Sequence, residues 1–153
     1  MASSFSTKAS DAPDRSMEQI ASLEYILLGD LRDLLEEPPD NLTCKWLTAV
    51  LDALLDTMPQ GFALQEDGGY MSDVLDIYPN WSGQVSQLLE ERETLFGKLE
   101  TLRERLADRE SFRKVADELR RDLRDWMNSL GAFHRHERRL LQTAFNLDVG
   151  VCD

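Results

Sequence analysis

Between Phe112 and Ala144 the chain places apolar residues at intervals that are mostly three or four: Phe112, Val115, Leu119, Leu123, Trp126, Leu130, Phe133, Leu140, Leu141 and Ala144. Residues so spaced share one face of an α-helix, so the pattern predicts one long amphipathic helix from near Ser111 to about Asn146. A helix with a single apolar stripe takes most of its stability from packing, so this one needs partner helices to cover the stripe. Gly131 is a candidate bend, and Leu147 to Asp153 reads as a short ordered tail.

Three further segments supply the partners. Ile20, Leu23, Leu27, Leu28, Leu31, Leu34 and Leu35 form a broad stripe from Ser16 until Pro38 and Pro39 stop it. Glu24 sits at the edge of that stripe and is expected to carry its head to water. Asn41 or Thr43 can cap a second helix with Trp46, Leu47, Val50, Leu51, Leu54, Met58, Gly61 and Gln65 inward. Pro59 is expected to bend or briefly break it, and Gly68 and Gly69 to end it. Met71, Val74, Leu75, Ile77, Tyr78 and Trp81 surround Pro79 in a short helical turn and packed connection. Ser82 can cap a third helix running to about Leu106, with Val85, Leu88, Leu89, Leu95, Phe96, Leu99, Leu102 and Leu106 as its stripe and Arg92 inside it. No strand pattern competes, so the expected fold is all-α, a four-helix up-down bundle over residues 15–153. Residues 1–14, rich in Ser, Ala, Asp and Lys without periodicity, read as a flexible tail.

A chain of 153 residues is about one domain long. Its 29 acidic and 17 basic residues give a net charge of −12, which disfavours nonspecific binding to nucleic acid or anionic membrane. No run approaches the roughly 18 apolar residues of a membrane helix, and the first residues lack the apolar core of a signal peptide, which points to the cytoplasm. Cys44 and Cys152 build neither a disulfide framework nor a cysteine metal site.

The residues able to carry chemistry are few. In the stretch GFALQEDGGYM, Gly61 to Met71, two non-apolar residues four apart, Gly61 and Gln65, fall on the inward face. Such a pair is where a bundle places metal ligands, yet glycine has no side chain and glutamine is a poor ligand. His134 and His136, two apart, point to nearly opposite sides of a helix and read as exposed or half-exposed polar residues rather than a chelating pair. Arg92 and Glu137 each interrupt an apolar stripe and carry opposite charge, so they either pair in the core or extend their heads to water. Glu66, Asp67, Asp73 and Asp76 lack the spacing of a calcium loop, and the basic run Arg135 to Arg139 is too short for nucleic-acid recognition. With no nucleophile constellation and no phosphate-binding loop, the sequence offers no basis for an enzyme.

Over most of residues 17–150 the chain resembles the hemerythrin-like (HHE cation-binding) bundles. A second helix ending in a segment like HFxxEEGGY is similar to Gly61 through Tyr70, including Phe62, Glu66, Gly68, Gly69 and Tyr70. The third-helix pattern LxxEH, followed by a second His, is similar to Leu88 through Arg92 and on to Phe96. The last-helix pattern HxxxE, an apolar run and a DIG-like end is similar to Phe133 through Glu137, Leu140, Leu141, Ala144, Asp148 and Gly150. The resemblance places the family's ligands at Leu28, Gly61, Gln65, Arg92, Phe96, Phe133 and Glu137, of which only Glu137 keeps a ligating side chain. It therefore implies a bundle with a degenerate metal site, without cofactor, acting as a non-enzymatic binding or regulatory module for an unidentified protein or small ligand. Two alternatives stand beside that expectation. One is a functional non-haem diiron, oxygen-binding protein with an unusual site drawn from Glu137, Glu66, His134 or His136, and the other is a carrier of small apolar ligands in the vacated core.

Overall fold

The computed structural model describes residues 16–66, 70–107 and 109–152, with side chains over 16–65, 73–107 and 116–144. The expected tail over 1–14, the terminating Gly68 and Gly69, and the side chains of Glu66, Asp67, Met71, Phe112, Val115 and Cys152 lie outside the described residues. The described residues are helical: α1 Met17–Leu34, α2 Asn41–Glu66, α3 Tyr70–Ile77, a 3-10 turn Pro79–Trp81, α4 Ser82–Ala107 and α5 Arg109–Cys152. None of these helices is long and apolar enough to cross a membrane.

Local chemistry sets the helix starts. Ser16 Oγ accepts from the Gln19 amide at 3.2 Å while Gln19 Oε1 accepts from the Ser16 amide at 2.9 Å, a capping box that satisfies two N-terminal donors of the first helix. The cap of α2 is Asp40, whose Oδ1 accepts from the Thr43 amide at 2.8 Å, so neither Asn41 nor Thr43 caps it. Those bonds from Thr43 hold the Asp40 carboxyl below its usual range. Ser82 does not cap α4 either, since it already has helical dihedrals and continues from the 3-10 turn. Helix α2 runs through Pro59 without a break, and α5 runs on to Cys152, so the expected tail after Leu147 is helical.

Cross-helix contacts fix the directions of the four long helices. Cys44 Sγ donates to Leu106 O at 3.8 Å near the start of α2 and the end of α4, and Arg92 meets Gln65 at their other ends. On α4 and α5, Arg105 pairs with Asp122 at 2.7 Å and His136 with Glu91 at 3.4 Å. On α1 and α5, Leu35 O accepts from Arg124 Nη2 at 2.9 Å and Glu24 meets His134. Residue numbers rise on one helix as they fall on its partner in each case, so the four helices alternate up and down. Between them lies one core of Leu31, Leu47, Leu51, Leu54, Leu88, Leu99, Leu119 and Leu123 with their neighbours. Trp126, buried within it, donates from Nε1 to Leu95 O at 2.8 Å and ties α5 to α4.

Two residues expected inside lie outside. Trp46 is 54% exposed, because the inward line of α2 runs through Cys44, Leu47, Leu51, Leu54, Met58 and Gly61, and a residue two beyond Cys44 faces away. Ile77, at the end of α3, is also exposed. Backbone packing is close between α1 and α2, α2 and α4, and α4 and α5, whereas α1 meets α5 chiefly through long side chains. Arg120 to Glu37 O and Arg124 to Leu35 O span that seam at one end, and Glu24 with His134 at the other.

Candidate functional site

The inward line of α2 passes from Met58 to Gly61 and Gln65. Gly61 is buried, and a Cβ there would lie 3.3 Å from Cγ2 of Ile20 on α1, so the missing side chain is what lets α1 approach. Helix α5 brings Phe133 and Glu137, four apart and so on one face, to the same end of the bundle. Between α1, α2 and α5 these residues enclose a half-open cavity of about 260 Å³, its apolar wall formed by Ile20, Met58, Phe62 and Phe133 and its polar groups by Glu24, Gln65, His134 and Glu137.

Four of the seven positions singled out in the sequence, Gly61, Gln65, Phe133 and Glu137, line this cavity. Arg92 and Phe96 join it through Phe62: the guanidinium carbon of Arg92 lies 4.2 Å from the centre of the Phe62 ring, and Phe96 meets that ring edge to face at 6.4 Å. Leu28 is half-buried against the core and does not line the cavity. The charged α1 residue that lines the site is Glu24, one turn earlier, which the reading of its head as solvated missed.

Arg92 and Glu137 do not pair. Arg92, 5% exposed, donates from Nη1 to Gln65 Oε1 at 3.3 Å, while the partner of Glu137 among the described residues is His134. A buried guanidinium needs acceptors, and Gln65 on the facing helix supplies one without a second charge.

His134 stands between two carboxylates. Its Nδ1 is 3.8 Å from Glu137 Oε1 and its Nε2 is 3.2 Å from Glu24 Oε1. Glu137 and Glu24 together push its pKa up to about 9 against the opposing effect of burial, so at neutral pH the ring is an imidazolium, its Nε2 donating to Glu24 and its Nδ1 in ion-pair range of Glu137. The side chain of Glu137 is 13% exposed, and its Oε2 is buried with no hydrogen-bond partner among the described residues. His136 pairs with Glu91 on the other side of α5, as the two-residue offset requires.

Among the described residues the donor set does not fit a diiron centre. Iron of this kind is held by imidazoles and carboxylates converging from facing helices, whereas the two nitrogens of His134 are directed at different carboxylates. Among the described residues no group of three or more His, Cys, Asp or Glu is placed to hold a metal ion. His134 and Glu137 share the cavity, His136 lies elsewhere, and the Glu66 side chain is outside the described residues. Among the described residues the cavity offers an apolar wall, one cation and two carboxylates, one oxygen of which has no hydrogen-bond partner.

A larger furrow of about 610 Å³ runs between α4 and α5, floored by Leu95 and Phe133 and rimmed by Glu90, Glu91 and His136. It is open to solvent along an exposed polar rim and shares only Phe133 with the seven positions, so the smaller, more enclosed cavity is the candidate site. No protein-family model, no curated protein and no solved structure matches the chain.

Proposed function

We propose that this chain is a non-enzymatic binding module, a hemerythrin-like bundle in which the metal-site positions have become a pocket for a small organic ligand. The observation that carries the reading is the cavity of about 260 Å³ lined by Gly61, Gln65, Phe133 and Glu137 together. Glycine and phenylalanine offer no metal donor, and glutamine is a weak one. An enclosed apolar cavity of about 150 Å³ suffices to hold benzene, so this one suits a molecule of about one ring. The net charge of −12 and the absence of a membrane-length apolar helix among the described residues accord with a role in the cytoplasm, the ligand-bound bundle being its output.

The test is thermal unfolding of the intact chain across a panel of monocyclic probes at millimolar concentration. A ligand that binds only the folded state raises the midpoint by mass action, so at least one probe should raise it by several degrees. A panel without any response would overturn the reading.

A further inference from the structure

Resting on that reading, we infer that the ligand is a small protonated amine on an apolar body, bound with its ammonium against Glu137 and its body against Phe133, Met58 and Ile20. Two features of the cavity select this class. Among the described lining residues the polar atom without a hydrogen-bond partner is an acceptor, Glu137 Oε2, so a ligand that donates a hydrogen bond would complete the site. Among the described residues the charged groups in the lining are the carboxylates of Glu24 and Glu137 and the imidazolium of His134, which leaves one negative charge among them for the ligand to balance. A charge-assisted bond from a cationic donor to a carboxylate is about twice as strong as a neutral one. An anionic ligand would meet two carboxylates whose cationic neighbour among the described lining residues, His134, already lies between them.

The experiment measures dissociation constants of the intact protein for three probes of one shape, benzylamine, benzyl alcohol and toluene, at pH 7 by calorimetry. Benzylamine should bind at least about tenfold tighter than toluene, with benzyl alcohol between them. Toluene or benzyl alcohol binding as tightly as benzylamine would overturn the amine inference while leaving a ligand cavity in place. Binding by none of the three would overturn the cavity reading itself. In Glu137→Gln the advantage of benzylamine over toluene should vanish, and its survival would overturn the role given to Glu137. Should that variant fail to fold, the unaltered protein decides the matter by NMR: benzylamine should shift the Gly61 amide and the His134 ring protons, and shifts confined to other residues would overturn the placement.

Discussion

Arg92 on α4 donates from Nη1 to Gln65 Oε1 on α2 at 3.3 Å, joining two of the seven positions through a neutral acceptor rather than through an ion pair. The arrangement keeps the guanidinium buried and leaves Glu137 free to face the cavity with His134. Charge at this end of the bundle is thus divided: a cation behind Gln65, and a carboxylate, imidazolium and carboxylate in a row across the seam between α1 and α5.

Gln65→Leu keeps the volume and removes the acceptor. Taking an acceptor from a buried charged donor destabilises by about 1–3 kcal/mol, and because Arg92 has further interactions we expect the lower part of that range. Urea unfolding of the two proteins measures it, and an unchanged midpoint would show that the bond contributes nothing.

His134 makes stability depend on pH. Its folded pKa of about 9 lies above the ordinary 6.5, so the folded state holds the proton more tightly than the unfolded chain. The contribution is full below pH 6.5, declines from there to about pH 9 and is absent above. The imidazole is 40% exposed, so solvent screens the pairs and the contribution is about 1 kcal/mol. The difference in unfolding free energy between the protein and His134→Gln should shrink by about that much from pH 6 to pH 9.5. A difference constant across that interval would contradict the assignment.

The bond from Trp126 Nε1 to Leu95 O is buried, whereas that between Arg103 and Asp52 is solvent-exposed. Trp126→Phe should therefore cost about 1–3 kcal/mol, from the lost bond and the space left behind, and Asp52→Asn less than about 1 kcal/mol. Chemical denaturation of both variants gives the ranking, and the reverse order would contradict it.

Gly61→Ala tests whether the cavity gives locally. The new Cβ would stand 3.3 Å from Ile20 Cγ2, and Ile20 borders the cavity, into which it can shift. Alanine gains up to about 1 kcal/mol in a helix over glycine, so after the shift of Ile20 we expect about 0.5 kcal/mol of stabilisation with weaker probe binding. Destabilisation by more than about 1 kcal/mol would mean that α1 cannot yield.

The bundle was legible in the sequence because each stripe repeats for several turns, which averages out single misplacements such as Trp46 and Ile77. Gly61, Gln65 and Glu137 stood out because they are non-apolar residues at inward helical spacing and Phe133 because the resemblance places a ligand there, and the structure brings the four to one cavity. Glu24 was missed as a site residue, and His134 was named only in the alternative iron site, for a different reason. Each sits at a stripe edge, where periodicity does not separate a solvated head from one turned toward a neighbouring helix, and their pairing needs the distance between α1 and α5. Of the two readings of Arg92, paired with Glu137 or extended to water, neither holds: it is buried and donates to Gln65, a neutral acceptor on the facing helix that opposite charge does not point to.

The central claim is that the Gly61, Gln65, Phe133 and Glu137 cavity holds an organic ligand in place of iron. Native mass spectrometry of the intact chain, purified without chelator from iron-supplemented cells and then mixed with benzylamine, reads both kinds of occupancy at once. We expect the bare chain and a one-to-one benzylamine adduct, with no species at the mass of one or two bound irons. A predominant diiron species that excludes the amine would contradict the claim.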